Sequence, residues 1–151
     1  MRTIFLGMII CCVWACGNDG EEQAETDKQV ILDYLTSNNL TATETESGLF
    51  YIILDEGRGN GNRPNENSKV HVNYKGYLTN GNVFDSTDAQ GAIFRLGNLI
   101  AAWREGIPKI KEGGQVMLLS PSKLAYGSTA RPGIPKNSVL IFEITLRAVI
   151  E

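Results

Sequence analysis

The sequence predicts an α+β domain in which an antiparallel sheet closes on one short helix. Apolar residues recur at every second position in several separate runs, among them "GLFYIILDEG", "KVHVNYKGYL" and "SVLIFEITLRAVI", which is the spacing of strands that bury one face. These runs are divided by clusters of Gly, Asn, Asp and Pro, the residues that turns require. Within the strand region a single stretch, "NLIAAWREGIPKI", switches to helical spacing. Strands grouped around one embedded helix point to α+β rather than to an alternating α/β fold.

The chain opens on "MRTIFLGMIICCVWAC", where Arg2 precedes an apolar run too short to span a bilayer as a helix. This has the form of a secretory signal over residues 1–15. Its end, Val13-Trp14-Ala15-Cys16, resembles the lipobox of bacterial lipoproteins, and the resemblance implies that Cys16 is lipidated and becomes the mature N-terminus. All three cysteines, Cys11, Cys12 and Cys16, lie in this stretch, so the remainder of the chain can form no disulfide. Several acyl chains on one cysteine hold a protein firmly to a membrane. The expected location is therefore the bacterial cell envelope, lipid-anchored, on either the periplasmic or the surface face.

Residues 16–27, "CGNDGEEQAETD", are polar and acidic and read as a solvated tether. Residues 28–48 hold an N-terminal helix and a linker: Val30, Ile31, Tyr34 and Leu35 fall at helical spacing, Asp27 stands as the N-cap, and Asn38 and Asn39 stop the helix. Packing of this helix on the domain is favoured over a dimer contact. From residue 49 to residue 151 the period is that of strands.

In the first strand Phe50, Ile52 and Leu54 alternate with Tyr51, Ile53 and Asp55, and the loop "EGRGNGNRPNENS" follows. Its glycines lack the spacing of a dinucleotide fingerprint and open no helix, so it is a connection between strands. In "KVHVNYKGYL", Val70, Val72 and Tyr74 share one face, and Lys69, His71, Asn73 and Lys75 share the other. Asn80 and Gly81 form a hairpin turn into "NVFDS". "AIFRL" and "GQVMLLS" are strands flanking the helix, whose Ile100, Trp103 and Ile107 lie on one side before Pro108. In the last strand Leu140, Phe142, Ile144 and Leu146 make one face.

The bulk properties exclude several functions. A net charge of -3, or -4 once the single charge of the leader, Arg2, is removed, offers no footing for nucleic acid. The one histidine, His71, sits on a polar strand face, which leaves serine–histidine and cysteine–histidine mechanisms without a base. Beyond the leader there is no cysteine and no clustered histidine or carboxylate set, so neither a metal nor another cofactor is expected. An activity must then rest on an apolar pocket and hydrogen bonds.

Three segments, "VNYKGYLTNGNVFDS", "LIAAWREGIPKIKEGG" and "LAYGSTARPGIPKNSVLIFEITL", closely resemble the FKBP-type peptidyl-prolyl cis/trans isomerases, in the family's order and over roughly residues 49 to 150. The resemblance implies a strongly twisted half-barrel sheet wrapped across the short helix, with an apolar cleft between them. It implies an aromatic, substrate-binding pocket from Tyr74, Phe84, Trp103 and Phe142, joined by Leu99 and Ile100 at the helix start and by Ile134 over a bound proline ring. Asp85 at the cleft edge and the Tyr126 hydroxyl, directed at a bound carbonyl, take the catalytic roles. Pro132 and Pro135 would stiffen the loop that carries these groups. The implied partners are proline-containing polypeptides and macrolide inhibitors, and the implied activity is X-Pro isomerisation in the folding of exported proteins. The alternative from another class is a proline-binding chaperone or interaction module with little turnover. The chain departs from the family at Ala92, where an additional aromatic often lines the cleft, at Arg131, often a histidine, and in the lead "LIAAW".

Overall fold

The computed structural model describes residues 19–150. Its elements in chain order are α1 (Asp19–Ser37), β1 (Thr43–Glu44), β2 (Phe50–Asp55), β3 (Lys69–Leu78), β4 (Val83–Ser86), β5 (Ala92–Arg95), α2 (Ala101–Gly106), β6 (Gln115–Ser120) and β7 (Leu140–Ile150). The strands form one antiparallel sheet in the order β1-β2-β6-β7-β3-β4, with β5 also paired to β3. This is the expected α+β class.

The longest strands, β3 and β7, pair along their whole length and form the spine, with Tyr74 opposite Ile144 and Gly76 opposite Phe142. The other edge of β3 changes partner halfway: β5 lies opposite Lys69 to Val72, and β4 opposite Lys75 to Tyr77. Tyr74 stands at the change, where its amide donates to the Thr87 hydroxyl at 3.1 Å and its carbonyl accepts from the Thr87 amide at 3.0 Å. The sheet edge therefore parts beside Tyr74.

Alternation divides the apolar residues between the two faces of the sheet. Val70, Val72, Val116, Leu118, Leu140, Phe142, Ile144 and Leu146 pack with Ala102, Trp103 and Ile107 of the α2 segment. The other face takes Phe50, Tyr77, Leu119 and Ile141, covered by Ile31 and Leu35 of α1. Gly106 makes the close approach of α2 to the sheet possible, since a Cβ there would come within 2.5 Å of the Leu118 side chain. The expected hairpin turn is present, with Gly81 at φ 87° and its amide donating to the Leu78 carbonyl at 2.8 Å.

The N-terminal segment differs from the sequence reading. α1 begins at Asp19, so most of the expected tether is helix, and Asp27 lies in the helix interior instead of at its N-cap. Residues 19–26 lack an apolar stripe but are rich in helix formers, and Asp19, Glu21 and Glu22 in the first turn oppose the positive end of the helix dipole. The buried stripe is Asp27, Ile31 and Leu35, at steps of four, while Val30 remains 36% exposed. Packing on the domain, the favoured alternative for this helix, is what the structure has. The candidate lipidation residue Cys16 and the leader lie outside the described residues.

Candidate active site

Between the α2 face of the sheet and the loop after β6 lies a cleft of about 310 Å³. Its walls are Tyr74 from β3, Phe84 and Asp85 from β4, Phe94 from β5, Asn98, Leu99 and Ile100 ahead of α2, Trp103 from α2, Tyr126 from the loop, and Phe142 from β7. A larger hollow of about 530 Å³ separates the start of α1 from the loop at Gly127 and Asn137, but among the described residues no aromatic ring lines it. The aromatic cleft joins concavity to an apolar lining and a few convergent polar groups, the general form of a small-ligand site.

Trp103 is the hub of the rings. It is 5% exposed, and it meets Tyr74 at 4.9 Å, Phe142 at 5.4 Å and Phe94 at 6.2 Å between centroids, each nearly perpendicular. Phe84 stands edge-on to Phe142 at 5.7 Å. Edge-to-face pairs of this kind add about 0.5–1.5 kcal/mol each beyond area burial, which favours one fixed arrangement of the walls. Gly76 is required by that arrangement, because a Cβ there would lie 2.7 Å from the Phe84 ring and 3.1 Å from Phe142. The Trp103 indole N–H is buried without a protein partner among the described residues.

Polar groups are few. The Tyr74 hydroxyl donates to the Asp85 carboxylate at 2.6 Å. Burial first, then this hydrogen bond, holds the Tyr74 phenol well above the ordinary tyrosine range, so it stays protonated and pointed at Asp85. Tyr126 lies at the mouth with the Arg131 guanidinium 5.4 Å from its ring centre, a cation–π contact. His71 is outside the cleft; one of its ring nitrogens lies 2.7 Å from the Gln90 carbonyl. Among the described residues, no three His, Cys, Asp or Glu side chains gather as metal ligands.

Of the residues expected from sequence, Tyr74, Phe84, Asp85, Leu99, Ile100, Trp103, Tyr126 and Phe142 all line the cleft. Ile134 does not. A tight turn pairs it with Arg131, with Gly133 at φ 76° between them, and turns its side chain into the core, where it is 6% exposed. Phe94 was missed. Ala92 and Phe94 share a face of β5, so the ring absent at Ala92 is supplied two residues later; the alternation of "AIFR" carried that signal. Asn98 gave no signal, being one polar residue in a turn.

Residues 61–147 match the family described as FKBP-type peptidyl-prolyl cis-trans isomerase. The FKBP-type peptidyl-prolyl cis-trans isomerase FkpA of Escherichia coli K12 is 41% identical over 104 residues, which are 68% of this chain and 38% of that protein. The chain thus spans about two fifths of the curated relatives it matches, 38% of this one and 42% of a Buchnera aphidicola FkpA. The crystal structure of FkpA from Escherichia coli superposes with a TM-score of 0.74 at 34% identity, covering 85% of this chain and 61% of that one. A peptidyl-prolyl cis-trans isomerase from Pseudomonas syringae superposes with a TM-score of 0.74 at 29% identity, covering 89% of this chain and all of the other.

Proposed function

This chain belongs to the FKBP-type peptidyl-prolyl cis-trans isomerases, and from that premise we propose that its aromatic cleft catalyses rotation about X-Pro bonds in exported polypeptides. The observation that carries the reading is the pre-formed cleft around Trp103, apolar on all sides but the Tyr74–Asp85 pair and the mouth at Asn98 and Tyr126. The family binds proline-containing peptides and macrolides in general, and both are proposed as ligands here.

The chemistry asked of such a site is modest. Rotation about a peptide bond meets a barrier of about 18–20 kcal/mol because resonance is lost at the twisted geometry, and no covalent bond breaks. The planar ground state separates charge between carbonyl oxygen and nitrogen more than the twisted state does. A cleft poor in water stabilises the planar amide less than solvent does, and so lowers the relative cost of twisting. Trp103, Phe142 and Phe84 would receive the pyrrolidine ring, and the Tyr126 hydroxyl would donate to the substrate carbonyl. Asp85 would act through Tyr74, holding that phenol and its ring in place. No group need exchange a proton with the substrate.

Lipidation of Cys16, with attachment to the cell envelope, belongs to the same proposal and rests on the leader sequence. The mass of the mature N-terminal peptide tests this, and an N-terminus without acyl chains rejects it.

A coupled or NMR-exchange assay on a proline peptide tests the activity. Turnover well above the uncatalysed rate, which is one event in tens to hundreds of seconds, is expected. Peptide that binds while the rate stays uncatalysed would assign the cleft to a proline-binding module instead.

A further inference from the structure

Asp27 is a carboxylate in the interior of α1, 2% exposed, and it takes no part in the cleft. An aspartate in mid-helix is neither a good helix former nor a group that tolerates burial unless its oxygens are satisfied. Here they are satisfied from a distant part of the chain. One oxygen accepts the Ser122 backbone N–H at 2.7 Å and the Ser122 hydroxyl at 2.6 Å, and the other accepts the Gln23 amide at 2.7 Å. Ser122 opens a 3-10 turn, Ser122–Leu124, whose first N–H groups have no partner within the turn. A carboxylate from another helix thus does the work of an N-cap.

What hangs from that turn is the mouth of the cleft. The Ser122 carbonyl accepts both the Ala125 amide at 2.9 Å and the Gly127 amide at 2.8 Å, the two residues that flank Tyr126. The Gly127 carbonyl accepts from the Asn137 amide at 2.7 Å, which ties the far end of the loop to the same point. A continuous path therefore runs from the Asp27 carboxylate through Ser122 to the backbone on either side of Tyr126. Charge-assisted hydrogen bonds to a buried carboxylate are the stronger kind, and they fix geometry as well as contribute energy.

We infer that Asp27 is a positioning residue for Tyr126, so that the N-terminal helix, which touches no part of the cleft, sets the geometry of its mouth. The activity arm of the test rests on the isomerase reading; the structural arm does not. In the full chain, kcat/KM on a proline peptide is compared for the wild type, Asp27→Ala, Tyr126→Ala and the double variant. Asp27→Ala is expected to lower it roughly tenfold when Tyr126 is present, and less than about twofold when Tyr126 is already alanine. Equal losses in both backgrounds would overturn the inference, because general destabilisation does not depend on Tyr126. Asp27→Asn keeps the shape and one acceptor oxygen; it should fall between, and it replaces the alanine variant if that one does not fold. In parallel, hydrogen exchange at the Ala125 and Gly127 amides should quicken in the Asp27 variant while the β6–β7 amides keep their protection. Unchanged exchange at those two amides overturns the inference whether or not the wild type turns over, whereas a wild type without turnover removes the isomerase reading alone.

Discussion

Trp103 is the packing hub of the rings and Tyr126 the hydrogen-bond donor of the proposed mechanism, so their variants should fail differently. Removing the indole leaves a cavity among Tyr74, Phe94 and Phe142. A Trp103→Ala change should cost about 3–5 kcal/mol of stability and lower turnover severely, because the walls lose their common support. Tyr126→Phe keeps the ring and its contact with Arg131. Losing one hydrogen bond of about 0.5–1.5 kcal/mol should lower kcat/KM about two- to tenfold with little change in melting temperature. Steady-state kinetics and thermal melts on both variants check the pair, and an unchanged rate in both would move the site elsewhere. At the same scale, Asp27 is where reading residues one at a time fails. A lone aspartate ahead of an apolar periodic run looks like an N-cap, yet its partner is Ser122, 95 residues away.

Among the elements, α1 has the most to say about how a face is chosen. The sequence grouped Val30, Ile31, Tyr34 and Leu35 as one apolar side, whereas the structure buries Ile31 and Leu35 and leaves Val30 exposed. The helix is rotated so that Asp27 can reach Ser122 while Ile31 and Leu35 reach Phe50, Leu119 and Ile141. Ile31→Ala should therefore destabilise by about 2–5 kcal/mol, and Val30→Ala by no more than about 0.5 kcal/mol. Denaturant melts separate the two, and equal effects would mean that α1 is docked in another rotation. The ten-residue β3 makes a similar point about edges: its partner changes from β5 to β4 around Tyr74, and Tyr74, Phe94 of β5 and Phe84 and Asp85 of β4 all line the cleft.

For the molecule as a whole, pH dependence follows from two tyrosines on opposite faces of the sheet. Tyr74 and Tyr77 are both held above the ordinary phenol range, by burial first and then by hydrogen bonds to Asp85 at 2.6 Å and Glu143 at 2.7 Å. The folded chain keeps these protons at a pH where the unfolded chain, with phenols near about 10, releases them. More protons are then bound folded than unfolded, so stability falls as pH rises above about 10 and is untouched by these groups below it. Melting temperature should decline at alkaline pH, and a Tyr74→Phe, Tyr77→Phe double variant should flatten that decline. An equally steep decline in the double variant would count against the two hydrogen bonds. Turnover should vary little between pH 6 and 9, since the Tyr74 proton does not leave in that range.

Period and order in the sequence were sufficient for the strands β2 to β7, the single embedded helix and the division of β7 into an α2-facing side, because alternation is a local property of the backbone; the two-residue β1, Thr43–Glu44, lies in what read as linker. The family resemblance supplied eight of the cleft residues, from Tyr74 to Phe142, of which Tyr74, Phe84, Asp85 and Phe142 stand on strands and the others at α2 or in loops. Three things came only with the folded chain: the inward turn of Ile134, the entry of the Phe94 ring into the cleft, where alternation put it on the face of Ala92 without saying what it meets, and the reach of Asp27 to Ser122. The last is a contact between segments 95 residues apart, and the other two depend on which side of a turn or strand the folded chain packs inward, which is chosen by the sum of its contacts rather than by any one residue.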